Sequence, residues 1–223
     1  MIKNKQTLVH VIDNLGRGGA ETMLVSFLRD LDDAYNVILV TLTDVQEFSE
    51  DEIICNKRYN LNYKSIKDLP KTVFKLRHII KKHKPVLVRS ELYWSTIISR
   101  LACPNKIKFV FSIHSQLSRD GFSKNKLALL LEKMTYKKRH SIISVSKIAL
   151  DDYEKMINVR GKKFILHNFV NADFFKPSYD FSWEPGSIIK IVTVGNLKEA
   201  KNFGFLLNAI KVIKKNATLT LDI

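Results

Sequence analysis

A chain of 223 residues, 45 % of them apolar, can bury one full domain core and part of another. Lys and Arg outnumber Asp and Glu by 37 to 22, and the resulting net charge of +15 favours anionic partners: phosphorylated ligands, acidic lipid headgroups or nucleic acid. Two distant cysteines argue against a disulfide framework or zinc site, and no signal-peptide core or apolar run near ~18 residues is present, so a cytoplasmic protein, at most peripheral on the inner face of the membrane, is expected.

Short apolar runs alternate with helical patterns. Thr7–Ile12 reads as a buried strand, followed by a helix with Ala20, Leu24, Phe27, Leu28 and Leu31 on one face. Asn36–Leu42 is a second strand. Pro70 and Lys71 open a helix to about Lys84 with Val73, Leu76 and Ile80 inward. Strand Val86–Arg89, helix Tyr93–Ala102 and strand Lys108–Ile113 follow. Ser123 is expected to cap a helix that turns Leu127, Leu130, Leu131 and Met134 inward. Strand Ser141–Val145, a helix capped by Ser146 and running to about Ile157, and strand Lys163–Leu166 complete the unit.

This alternation predicts an α/β fold: a parallel, Rossmann-like sheet covered by helices, with ligands beyond the carboxyl ends of its strands. Residues 1–177 are expected to form the first domain and Pro- and Ser-containing residues 178–187 a linker. Residues 188–223 then read as the opening βαβ of a second Rossmann-like domain, with Phe205, Leu206, Ala209 and Ile213 inward on its helix. One βαβ unit does not cover its own sheet, so the chain is expected to be truncated within that domain.

The first strand runs into Asp13-Asn14-Leu15-Gly16-Arg17-Gly18-Gly19-Ala20-Glu21. Gly16 and Gly18 fit a dinucleotide fingerprint, but Glu21 stands where the third glycine is needed, and no Gly-Lys-Ser/Thr follows to make a P-loop. Two adjacent glycines at a helix start still offer free N–H groups and the positive end of the helix dipole to a phosphate. On spacing alone a plain tight turn is an equal reading. His114 follows a strand directly, a position more often structural than catalytic; His167 is a second candidate of the same kind.

The run Gly18-Gly19-Ala20-Glu21 with its amphipathic helix resembles the N-terminal signature of glycosyltransferase family 4, which has the two-domain GT-B fold. Three further stretches agree in order and spacing: Ile143-Ser144-Val145-Ser146; Asn168-Phe169-Val170-Asn171 with Phe175 and Pro177; and Val194-Gly195-Asn196-Leu197 with Lys201 and Asn202. The resemblance implies transfer of a sugar from a nucleotide-sugar donor to a glycan or lipid-linked acceptor in surface-polysaccharide assembly, with retention of configuration and without a metal or other cofactor. It implies that Gly18, Gly19, Asn196 and Lys201 meet the donor phosphates and that His114 approaches the transferred sugar. Glu21 would orient the loop. Asn196 replaces the usual Arg and supplies no charge. Phe169 and Asn171 replace the usual Gly and Asp. The family's paired glutamates belong further along than the last residue.

Lys71, Lys75, Arg77, His78, Lys81, Lys82 and Lys84 crowd one helix, and Lys137, Lys138 and Arg139 follow another. The basic helix 71–84 is expected to be either a solvated face or a contact for an anionic membrane surface. Nucleic-acid binding lacks interleaved aromatics and a recognisable module. The rival to an enzyme is a truncated, inactive remnant that binds acceptor, lipid or a partner protein.

Overall fold

The computed structural model describes residues 5–31, 33–119, 125–169, 188–195, 201–214 and 218–222. The chain divides into two compact units, Met1–Val170 and Asn171–Ile223. The first contains β1 (Gln6–Ile12), α1 (Gly19–Leu31), β2 (Tyr35–Thr41), β3 (Lys57–Asn60), α2 (Leu69–His83), β4 (Leu87–Glu91), α3 (Tyr93–Ala102), β5 (Lys108–Ile113), α4 (Lys126–Thr135), β6 (Ser141–Ser144), α5 (Lys147–Met156) and β7 (Lys163–Ile165).

The seven strands form one parallel sheet in the order β3-β2-β1-β4-β5-β6-β7. Strand alternation sorts β1 between two cores. Val9 and Val11 pack with Leu76 and Ile80 of α2 and Ile98 of α3. Ile12 packs on the other face with Leu24 and Leu28 of α1. The chain steps outward from β1 to β3, then returns across the sheet to β4. This reversal lies between β1 and β4, where a doubly wound sheet opens a crevice.

The short strand β3 has no counterpart among the predicted elements. Lys57-Arg58-Tyr59-Asn60 is polar and lacks apolar alternation; as an edge strand it is recruited through backbone pairing with Ile38–Thr41 of β2.

α4 departs from expectation more sharply. Its cap is Asn125, whose side chain accepts from the amides of Leu127 and Ala128; Ser123 lies outside the described residues. Its buried residues are Ala128, Glu132 and Thr135, whereas Leu127, Leu130 and Met134 face solvent. The cause is Arg100 of α3, buried beneath the helix. Its guanidinium lies 2.7 Å from Glu132 and donates to the Tyr153 hydroxyl at 3.0 Å. Residues two apart on a helix point about 200° apart, so burying Glu132 turns Leu130 and Met134 outward.

The second unit contains β8 (Ile189–Val192), α6 (Phe203–Ile213) and β9 (Leu219–Asp222), with β8 and β9 parallel. Ile210 is the buried residue of α6 and Leu206 and Ala209 are half-buried, but Phe205 and Ile213 are exposed, contrary to expectation. A two-stranded sheet gives the helix only a narrow surface to cover.

Candidate functional site

The loop after β1 is tied down on its outer side. Leu15 exchanges backbone hydrogen bonds with Val45 and Glu47. The Arg17 amide donates to a Glu47 carboxylate oxygen at 2.8 Å, its guanidinium pairs with Glu52 at 3.1 Å, and it sits over the Phe48 ring. Asn14 accepts from the Gly16 amide at 2.9 Å, and Thr22 donates to the Gly18 carbonyl at 3.0 Å to close the first turn of α1. The Gly18 amide donates to the Gly16 carbonyl at 3.0 Å, so the amides of Gly19, Ala20 and Glu21 are those without a carbonyl one turn back within the helix.

The two glycines differ. A Cβ on Gly18 would collide with the Glu21 carboxylate, which folds back over the loop. That negative group at a helix N-terminus complements the dipole. A Cβ on Gly19 would meet nothing within 4 Å. The open approach is therefore at Gly19. Met23 and Phe27 follow at i+4 and i+8 on the same side of α1 and line a cleft with Arg89, Ser112, His114 and His167.

The floor of this cleft is charged. Glu91, the last residue of β4, is 1 % exposed; one carboxylate oxygen lies 2.6 Å from Nε2 of His114 and the other pairs with Arg89. Burial alone would raise the Glu91 pKa, but the Arg89 guanidinium and the hydrogen bond with His114 outweigh it and hold the carboxyl below its ordinary value. Arg89 also donates to the Ser112 hydroxyl at 3.1 Å and lies over the Phe27 ring at 4.8 Å. With Nε2 given to Glu91, Nδ1 is the remaining His114 nitrogen for an incoming group. His167 Nδ1 lies 3.0 Å from the Val145 carbonyl, so it donates and Nε2 remains.

Two neighbours hold this floor in place. His10 of β1 lies opposite Arg89 in the register, packs edge-on to Phe27, and is lowered to a pKa of about 4 by burial, with the Arg89 charge adding to the effect. Asp13, at the end of β1, accepts the Ser95 amide at 2.6 Å and so caps α3 from a distance. α3 needs that acceptor because its own cap position is Leu92, with φ 70° and no side-chain cap. Burial raises the Asp13 pKa, and the amides of Ser95 and Trp94 offset only part of it.

Of the expected site residues, Gly18, Gly19, Glu21 and His114 thus lie at the carboxyl edge of the first unit, with α1 as their common wall. Lys201 is exposed in the second unit, directly before Asn202, the N-cap of α6. Asn196, like Asn171, Phe175, Pro177 and the linker 178–187, lies outside the described residues. Sequence reasoning missed Arg89 and Glu91. Their signal is present: two opposite charges, spaced to share one face, end an otherwise apolar parallel strand that should be buried on both sides.

The family model described as Glycosyltransferase Family 4 matches residues 17–174. The chain belongs to glycosyltransferase family 4. No curated protein matches it. Among solved structures, Anabaena HepE in complex with UDP is 15 % identical with a TM-score of 0.72, covering 97 % of this family 4 chain and 60 % of its own. Sucrose-phosphate synthase from Thermosynechococcus elongatus is 17 % identical with a TM-score of 0.67, over 97 % and 62 %. The lipopolysaccharide outer core galactosyltransferase WaaB, in its apo form, is 13 % identical with a TM-score of 0.67, over 97 % and 60 %. These likenesses give the family 4 chain the GT-B type of fold, and it spans about 60 % of the length of these three structures.

Proposed function

We propose that this chain carries the acceptor-side domain of a glycosyltransferase that moves a sugar from a nucleotide-sugar donor to a glycan or lipid-linked acceptor in cell-surface polysaccharide assembly. The observation that carries the reading is that α1 of a family 4 chain opens on the unobstructed Gly19 and, further along, lines with Met23 and Phe27 the cleft that holds Arg89 and the Glu91-bonded His114. HepE, a structural neighbour, is described with UDP-glucose bound, which supports a nucleotide sugar as the donor class.

In this reaction the bond between the anomeric carbon and the diphosphate oxygen breaks. The acceptor hydroxyl bonds to that carbon on the face the leaving group departs, with retention, and its proton passes to the departing diphosphate oxygen. Negative charge grows on the diphosphate. In the first unit the Gly19 amide, at the open N-terminus of α1, would receive it, and Lys201 is the cation that the second unit would bring to the same role, so this reading calls for no metal. His114, fixed through Nε2, would hydrogen-bond the transferred sugar through Nδ1. Glu21 would hold the loop until the donor arrives.

Among the described residues no helix is long and apolar enough to cross a membrane. The exposed Lys71, Arg77, His78, Lys81 and Lys82 of α2, with Lys84 after it, support peripheral contact with an anionic membrane, where lipid-linked acceptors reside.

Incubation with a panel of nucleotide sugars and lipid-linked acceptors, read as nucleoside diphosphate release, tests the proposal. Acceptor-dependent release that falls at least ~100-fold in His114→Ala is expected. No release with any donor, alongside intact acceptor or lipid binding, would replace the enzyme with an inactive binding module.

A further inference from the structure

At the edge of the sheet opposite His114, where β5 and β6 begin, lies a cleft of about 550 Å³. Arg77 of α2 forms one wall; Lys106, Lys137 and Arg139, from the loops after α3 and α4, form the others. Among the described residues no carboxylate lines it. Arg100 borders it too, but that charge is already matched by Glu132 at 2.7 Å. The carboxyl ends of α3 and α4 point here, each equivalent to about half a negative charge. Four cations against roughly one unit of negative charge leave the cleft strongly positive. Arg139 is pre-positioned, donating to the Cys103 carbonyl at 3.0 Å.

The mouth of the cleft is apolar. Met134 lines it and is 70 % exposed. Leu127 and Leu130 extend the same exposed face along α4. Phe74, 73 % exposed, stands one turn before Arg77 on α2. A soluble phosphate compound would use the cations and leave these side chains wet. A bilayer uses both, with cations meeting lipid phosphates and apolar side chains entering the acyl boundary.

We propose that the cleft and the exposed face of α4 dock on an anionic bilayer, with the cleft receiving a phospholipid phosphate. This deepens the membrane contact proposed above and rests on it, but assigns it a defined pocket rather than a diffuse field. A basic residue near a charged bilayer contributes about five-fold in partition wherever it sits. A pocket should contribute more than its charge count.

Co-sedimentation with phosphatidylcholine vesicles, with and without phosphatidylglycerol, separates these ideas. Three proteins of unchanged melting temperature are compared: the wild type, an Arg77→Gln/Lys106→Gln/Lys137→Gln variant of the cleft, and a charge-matched Lys71→Gln/Lys81→Gln/Lys82→Gln variant of the outer helix face. The wild type is expected to prefer anionic vesicles, and the cleft variant to lose at least ten-fold more partition than its charge-matched control. Leu127→Ser/Leu130→Ser is expected to weaken binding with all charges kept. Equal losses in the two triple variants would overturn the pocket and leave the general membrane reading standing. Equal binding of the wild type to both vesicle types would overturn both. Saturable binding of inorganic phosphate, lost in the cleft variant and without vesicle preference, would make the cleft a free-anion site and overturn docking.

Discussion

Nε2 of His114 lies 2.6 Å from a carboxylate oxygen of Glu91, a side chain only 1 % exposed whose second oxygen faces Arg89. Breaking such a buried cluster at one member leaves an unmatched charge, which costs more than the cluster contributes when whole. Glu91→Gln keeps the shape and strands Arg89. A loss of about 3 kcal/mol in urea unfolding is expected, with much of it recovered in Glu91→Gln/Arg89→Met. A single variant as stable as the wild type would mean the cluster is already solvated.

Acid sensitivity should begin in the histidine range. His10 is lowered to about 4 and His140 to about 3, in both cases chiefly by burial. Below the ordinary histidine pKa the unfolded chain gains protons that the folded chain refuses, so stability falls as pH drops. Each histidine costs about 2 kcal/mol by pH 5 relative to neutral pH. Glu91 adds its own loss only further down, as pH falls from the ordinary glutamate value to its lowered one, while Asp13, with a raised pKa, acts in the opposite sense. Both His10 nitrogens are buried without a hydrogen-bond partner. His10→Leu should therefore raise stability at neutral pH by about 1 kcal/mol and flatten the pH slope. Parallel urea midpoints for variant and wild type between pH 7 and pH 5 would contradict this.

Gly19→Ala separates a ligand role from a structural one. The new methyl has open space and sits in the first turn of a helix, so stability should be unchanged or improved by up to about 1 kcal/mol. Sugar transfer should nonetheless fall, because the methyl occupies the approach to the α1 amides. Thermal unfolding and transfer rate, measured together, check it; transfer at the wild-type rate would make the glycine pair a plain turn.

Arg100→Ala tests why α4 turns its leucines outward. The side chain is fully buried, held by Glu132 and Tyr153, and its guanidinium lies 4.2 Å from the centre of the Phe111 ring. Its removal should cost about 3–5 kcal/mol in urea unfolding. Exposed Leu130→Ser, by comparison, should change stability by less than about 0.5 kcal/mol.

The sheet was legible because parallel strands buried on both faces are near-continuous apolar runs, as in Leu8–Ile12 and Phe109–Ile113. What escaped has one physical origin: polar groups that satisfy each other over long sequence distances. β3 is a polar edge held by backbone pairing. α4 is oriented by Arg100, more than thirty residues away, so its apolar stripe pointed reasoning to the wrong face. The same holds for the site. Gly18, Gly19 and His114 announce themselves by position, at a strand end or helix start. Glu91 meets His114, and Arg89 meets Ser112, only once β4 and β5 lie side by side.

The most direct test is a backbone-amide NMR titration of the purified protein with each of a panel of nucleotide sugars up to millimolar concentration. The amides of Gly18, Gly19 and Ala20 should shift together with His114, and the response should be lost in Gly19→Ala. Unmoved Gly19 and His114 amides throughout, or shifts confined to other parts of the chain, would contradict the assignment of this cleft to the sugar donor.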